Sequence, residues 1–326
     1  MKLVTFSRHD KSRAVGAVVM EDRQVIDLAA AESELARQEG RQAAGCFGSM
    51  VDLLEAGASG MEAARRLVRA VSERLDAGET PDGLAVHTLT DVTLHAPVPR
   101  PRKLFCLAGN YQDHIEEGGR ARLERQDVET PRVFMKPPSN TVIGPGDPIL
   151  IPPVARSVDW EGELAVVIGR PAKGVSADEA LQYVAGYTVM NDVSERRLKI
   201  RERTDSRPRD RWFDWLNGKW LDTFAPQGPW LVTRDQIPDP QTLDISTRVN
   251  GERKQHNSTG QMLYPVNRII EYISAIITLE PGDLISTGTV SGVGATTGTF
   301  LQPGDTVEIQ ITGIGVLRNP VAAAEK

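Results

Sequence analysis

Apolar and polar positions alternate in short runs over most of this chain, a pattern that predicts strands. Lys2 to Phe6 and Ala14 to Met20 read as a hairpin, followed by a turn at Glu21-Asp22-Arg23 and a strand from Val25 to Leu28. From Ala29 to about Ala77 the period becomes helical, with Ala63, Leu67, Val68, Val71 and Leu75 on one face. Gly57 and Gly60 punctuate this region, and Ser59 is placed to cap the helix after it. The stretch Gly78-Glu79-Thr80-Pro81-Asp82-Gly83 has turn chemistry, and Val86 to Leu94 reads as a strand.

Pro97, Pro99 and Pro101 then form an extended, donor-poor linker. The boundary is placed there, giving a small α+β unit at 1–98 and a second domain at 99–326. In the second, Val, Ile and Thr dominate between frequent Gly and Pro. Candidate strands are Lys103–Leu107, Arg132–Met135, Glu163–Ile168, Tyr187–Asn191, Trp230–Val232, Asp244–Val249, Leu284–Thr287 and Thr306–Ile311. Two helices are expected, Ala177–Val184 capped by Ser176 and Pro265–Thr278. The fold class is α+β, mainly β, closed or sandwiched.

Composition narrows the partners more than the fold. The net charge is -6 over 326 residues, and no basic run interleaves with aromatics, which argues against nucleic acid. No apolar run approaches the roughly 20 residues that span a bilayer, and Met1 to Ser7 lacks the core of a secretory signal. Cys46 and Cys106 alone make no disulfide framework, so a reducing cytoplasm is the expected home. Cys106, in an apolar run, reads as a buried core thiol. No Gly-x-Gly-x-x-Gly opens a helix, so a dinucleotide fold is not supported.

The densest chemistry lies in Asp159-Trp160-Glu161-Gly162-Glu163. Strand geometry points Glu161 and Glu163 to one face, where like charges need either a hard cation such as Mg²⁺, Mn²⁺ or Ca²⁺, or open water. Asp192, at the end of a strand, would complete a facial set; read alone, it is taken by preference as a turn cap. His114 and Glu117 are one helical turn apart, as a general base and its orienting carboxylate would be, or as a loop histidine with an exposed partner. Gly118 and Gly119 behind them would permit movement. Lys219 lies among Trp, Leu and Phe and needs an anion. Ser286 to Gly294 is a Gly/Ser/Thr loop that reads as an anion-facing turn or a surface turn.

Taken in order, these segments resemble the fumarylacetoacetate hydrolase family, over roughly Arg102 to Val321. The matching residues are Asn110-Tyr111 with His114 and Glu117; Phe134 with Lys136-Pro137; Asp159, Glu161 and Glu163; Asn191-Asp192; Gly218-Lys219; and Thr287-Gly288-Thr289. The resemblance implies a mixed β-roll catalytic domain behind a small N-terminal domain, a homodimer, and a divalent ion, usually Mg²⁺ or Mn²⁺. It implies Glu161, Glu163 and Asp192 as metal ligands and His114, Glu117 and Lys219 as catalytic residues. Tyr111, Lys136, Arg196 and Thr289 would contact substrate. Lys199 departs from the family pattern by replacing a neutral amide. The segment with Arg201, Arg203, Arg207, Arg209 and Arg211, then Trp212, Phe213 and Trp215, reads preferentially as a dimer-contact excursion. Its other reading is a rim for an acidic or polyhydroxy substrate tail.

The reaction so implied is hydrolytic C–C cleavage of an acylpyruvate-type 2,4-diketo acid to a carboxylic acid and pyruvate or a substituted pyruvate. Isomerisation, tautomerisation or decarboxylation of a 2-oxo acid at the same metal site is the alternative, since some members resemble 2-hydroxyhepta-2,4-diene-1,7-dioate isomerase. A non-catalytic 2-oxo acid binder would require a missing metal or base residue, and none is missing.

Overall fold

The computed structural model describes residues 1–8, 12–80, 85–119 and 130–325. Its main sheet runs in the order Val86–Thr88, Gln24–Asp27, Arg13–Val19, Lys2–Ser7, Ala225–Thr233, Val184–Asn191, Gly162–Ile168, Leu284–Ser286, Leu104–Ala108, Arg132–Met135. Thr93–His95 and Val142–Ile143 attach to it at the side. A five-stranded sheet runs Glu252–Ser258, Asp244–Val249, Thr306–Ile311, Gly315–Ala323, Ile149–Ile151. The pair Val158–Asp159 with Ser194–Glu195 makes a third, small sheet.

The strand Gly162–Ile168 shows why the fold closes as it does, since every position in it is buried. Side chains alternate between faces, so its residues feed two cores. Leu164, Val166 and Ile168 join a cluster with Ile245, Ile309 and Ile311 of the five-stranded sheet. Ala165 and Val167 join another with Leu53, Leu54, Leu67 and Val71 of the N-terminal helices Met50–Glu55 and Gly57–Asp76. The amino-terminal helices thus roof one face of the sheet that carries Glu163. The sheet itself crosses the proline cluster, because Leu3 pairs with Leu231.

Local expectations hold where side chains alone set the element. Arg132–Met135, Asp244–Val249 and Thr306–Ile311 are strands with those limits. They shift where the backbone has another partner. Ser59 is no cap: the helix begins at Gly57, and the Ser59 hydroxyl donates to the Ala56 carbonyl at 2.8 Å. Asp27 and Ser49 cap the two helices before it. The strand expected over Val86–Leu94 is broken by a 3-10 turn at Leu89–Asp91. The helix expected over Ala177–Val184 is one α-turn and a 3-10 turn, because Val184 already belongs to the sheet. Ser176 stands at its N-cap position, but its hydroxyl turns to Glu179 rather than to a backbone N–H. Of the turn expected at 78–83, residues 81–83 lie outside those described. Among the described residues, no helix is long and apolar enough to cross a membrane.

Two stability outcomes follow. A Cβ on Gly186 would lie 2.1 Å from the Val232 carbonyl oxygen, which the sheet cannot move. Gly186→Ala should therefore lose at least about 1–3 kcal/mol, read as a lowered denaturant midpoint. His95 pairs with Thr5, and its Nε2 lies 2.9 Å from the Ser7 hydroxyl. Burial first, then the Arg13 charge, lowers its pKa, with Asp147 opposing. The unfolded chain then takes up this proton more readily than the folded one. Stability should be full above the ordinary histidine range and fall as pH drops through the lowered pKa. In His95→Gln that slope should flatten in thermal melts.

Candidate active site and metal centre

Glu161, Glu163 and Asp192 come together. One carboxylate oxygen from each lies within 4.8 Å of the others, and all three residues are buried. Backbone exchange fixes the arrangement: the Glu161 N–H donates to Asn191 Oδ1 at 2.9 Å, and the Asp192 N–H to the Glu161 carbonyl at 2.9 Å. Gly162 sits between the two glutamates because a Cβ there would meet Thr247 Oγ1 at 2.3 Å. Its N–H donates to Gln255 Oε1, and Gln255 Nε2 donates to Thr289 Oγ1 and the Val290 carbonyl. The Thr289 hydroxyl closes the loop by donating to the Gly162 carbonyl at 3.0 Å. Neither Gln255 nor this bracing is evident from the sequence.

Two buried lysines and a half-buried arginine face these acids. Lys219 Nζ donates to Glu161 Oε2 at 2.7 Å and Asp192 Oδ2 at 2.6 Å. Lys136 Nζ donates to Asp192 Oδ1 at 2.5 Å and the Val193 carbonyl. Arg196 pairs with Asp159 through Nε at 2.8 Å and with Glu161 through Nη2 at 2.5 Å. Burial opposes the charge on Glu161, but Arg196, Lys219 and His114 outweigh it and hold its pKa below the carboxylate range. Burial also opposes the Lys219 ammonium, yet Asp192 and Glu161 hold its pKa above the usual lysine value.

Glu163 is different. Its Oε2 accepts from Ser286 Oγ at 2.6 Å and the Gly288 N–H at 2.8 Å, while Oε1 is buried with no hydrogen-bond partner. Burial, then the charges of Asp192 and Glu161, pushes its pKa well up. An orphaned carboxylate oxygen beside two further carboxylates is an oxygen-only donor set with unspent negative charge. These residues fit a hard divalent ion.

Helix Gln112–Glu117 carries the second group. His114 Nδ1 lies 2.7 Å from Glu117 Oε1, and Glu117 Oε2 accepts the Gly292 N–H at 2.8 Å. A carboxylate at Nδ1 assigns the proton there and leaves the Nε2 lone pair free. Asp113 anchors the same helix by accepting from Ser291 Oγ and Asn257 Nδ2. The Ser286 to Gly294 loop therefore spends donors on protein carboxylates. Gly292 is required in it, since φ is +100° and a Cβ would lie 2.0 Å from the Lys254 carbonyl oxygen.

A cavity of about 700 Å³ joins the two groups. His114, Glu117, Glu161, Arg196, Lys219 and Thr289 line it; Glu163 and Asp192 lie behind Lys219. Two expected substrate contacts are placed elsewhere. Tyr111 is fully buried in the apolar core, and Lys136, also fully buried, neutralises Asp192 from behind. Lys199 is not in the lining either; it pairs with Glu202 at the surface. Conversely, Arg211, Trp212 and Trp215 of helix Asp210–Asn217 do line the cavity, as does Arg132. Cys106 is wholly buried, and burial pushes its thiol pKa well up, as suits a core residue.

The profile described as Fumarylacetoacetate (FAA) hydrolase C-terminal matches residues 103–322. The chain belongs to the fumarylacetoacetate hydrolase family. Within it, the chain is 39% identical over 277 residues to oxaloacetate tautomerase Fahd2a of Rattus norvegicus, covering 84% of this chain and 79% of that protein. It is 37% identical to oxaloacetate tautomerase YisK of Bacillus subtilis, covering 95% and 97%. Among solved structures, a putative HpcE protein from Mycobacterium smegmatis matches with a TM-score of 0.74 at 31% identity, both chains fully covered. Maleylpyruvate hydrolase from Sphingobium sp. SYK-6, solved with manganese(II) and pyruvate, matches with a TM-score of 0.72 at 27% identity, again over both whole chains. The family thus supports an enzyme of mainly β fold, and its members here include both tautomerases and a hydrolase.

Metal fit has a test that needs no turnover. Glu163→Gln keeps the shape and the Ser286 and Gly288 donors near one side-chain atom but removes the charge. In EDTA its melting temperature should stay close to wild type. The rise that saturating Mn²⁺ or Mg²⁺ gives wild type should vanish in differential scanning fluorimetry.

Proposed function

We propose that this chain is a divalent-metal-dependent enzyme that interconverts the keto and enol forms of a 2-oxo acid of the oxaloacetate type. The observation that carries the reading is a histidine–glutamate dyad with a free Nε2 facing the same cavity as Glu161, Lys219 and Arg196. The two oxaloacetate tautomerase relatives, one matched over nearly the whole of both chains, support the substrate type. Glu161, Glu163 and Asp192 would hold Mg²⁺ or Mn²⁺, which when bound supplies Lewis acidity toward the 2-oxo oxygen.

The chain's own residues supply the rest. Arg196 and Lys219 set two cations beside the oxygen that gains charge when carbon 3 loses a proton. His114 Nε2 takes that proton in the keto-to-enol direction and passes it to the 2-oxo oxygen to complete the enol; in the reverse it takes the enol proton and delivers one to carbon 3. Glu117 steadies the ring through its contact with Nδ1. A second reading is hydrolysis of an acylpyruvate, favoured by the same dyad and by the likeness to maleylpyruvate hydrolase. There His114 deprotonates water, the new C–O bond forms at the distal carbonyl, and the C–C bond breaks with its electrons passing to the pyruvate enolate. A homodimer belongs to this proposal, as the family resemblance implies.

The readings separate by product. With Mn²⁺, wild type should speed ketonisation of enol-oxaloacetate in stopped-flow absorbance, whereas release of pyruvate and acetate from acetylpyruvate marks the hydrolase. His114→Asn should lower the rate about 10²–10⁴-fold in whichever reaction is found. A wild-type rate in that variant would remove His114 from the mechanism.

A further inference from the structure

The cavity lining carries more positive charge than its own acids use. Four cationic residues line it, Arg132, Arg196, Arg211 and Lys219, with two carboxylates, Glu117 and Glu161. Glu117 is taken by His114 and the Gly292 N–H, and Glu161 by Lys219 and Arg196. The side chains of Arg132 and Arg211 have no ion pair or hydrogen bond among the described residues. The acids next to Arg211 in sequence are occupied: Asp210 by Arg207 and Arg203, Asp214 by Arg203.

The backbone sets both arginines at the exposed part of the lining, on faces shared with Phe134 and Trp215. Arg132 pairs with Ala108 at the end of its strand, and alternation places it on the face of Phe134. The Phe134 ring lies 5.2 Å from Lys219 Nζ, so that face looks into the site. Trp215 packs edge-on against Phe134, with centroids 5.1 Å apart. Arg211 is four residues before Trp215, hence one turn away on the same helix face. Phe134 and Trp215 therefore tie together the strand and the helix that carry the two arginines. Both are exposed, while Lys219 and Arg196 lie deeper against the carboxylates.

We infer that Arg132 and Arg211 form an outer anion subsite that binds the distal carboxylate of a dicarboxylic 2-oxo acid. The inner cations and the acidic triad take the 2-oxo acid end. This rests on reading the inner site as one for 2-oxo acids. It assigns the preference for a dianionic acid to two residues outside the catalytic groups. Arginine suits the task because its planar fork meets a carboxylate with two parallel hydrogen bonds. The aromatic walls at Trp212 and Trp215 leave a substrate few polar contacts between its two charged ends.

The test compares a dicarboxylate with a monocarboxylate in one protein. Calorimetry in Mn²⁺ with oxaloacetate and with pyruvate gives a ratio of affinities for wild type, Arg211→Gln, Arg132→Gln and the double variant. Both positions are exposed, so the fold should survive, and melting curves check that. Wild type should favour oxaloacetate, and each single variant should reduce the preference about tenfold or more. Arg201→Gln, outside the lining, should leave the ratio at its wild-type value. An unchanged ratio in the double variant, or a wild type that binds both acids equally, overturns the subsite. Should wild type bind neither acid, the inner-site reading falls with it. A wild type that binds oxaloacetate through these arginines but turns over nothing retains the subsite and removes only the activity.

Discussion

The site is built on a charge imbalance that the protein interior cannot ignore. Asp159, Glu161, Glu163 and Asp192 are buried together, while Lys136, Arg196 and Lys219 supply three positive charges. Removing any one of those cations would leave the buried acids with a still larger deficit of positive charge, at a cost of several kcal/mol. Glu163 is the acid left over. It sits on the sheet face that continues into Ala165 and Val167, with its side chain wholly buried. A proton on Glu163, or the divalent ion proposed for the triad, would bring positive charge to that acid.

Precision comes from the backbone rather than from the acids. The glutamates are two apart on a strand, which fixes their common face, but their depth is set by Gly162 lying against Thr247 of the second sheet. Gln255 reaches from that sheet to bridge the Gly162 N–H to Thr289, so the Glu161–Glu163 strand, the 286–294 loop and the five-stranded sheet are one braced unit. That loop in turn holds Glu117 through Gly292 and Asp113 through Ser291. The acidic triad and the His114–Glu117 pair are thereby coupled through a single loop, and a backbone shift there moves both.

Much of this was legible in the sequence where chemistry is dense and periodic. The Glu161/Glu163 pair, Asp192, the His114–Glu117 turn and Lys219 converge as their residue types suggested. What was not legible depends on depth. Lys136 and Tyr111 carry reactive-looking side chains, yet both are sealed away from the cavity, and nothing in a one-dimensional pattern separates a lysine behind a carboxylate from one in front of it. Gln255 lies in a strand of mostly polar residues, Glu252–Ser258, which alternation of apolar positions does not reveal. Helix Asp210–Asn217 was hidden for a similar reason: its arginine-rich approach reads as loop, and its aromatic face has meaning only beside Phe134.

The same electrostatics narrow the choice of proton carrier. Lys219 is held charged by two carboxylates, and Arg196 by Glu161 and Asp159, so neither releases a proton near neutral pH. Glu161 is held ionised by the same cations and has both oxygens committed to them. Glu117 likewise spends one oxygen on His114 and the other on Gly292. Thr289 gives its hydroxyl proton to Gly162. Of the ionisable groups lining the inner cavity, only His114 keeps a lone pair without a protein partner among the described residues, at Nε2. That nitrogen is therefore the proton carrier in both of the proposed reactions, which differ in whether carbon or water stands before it.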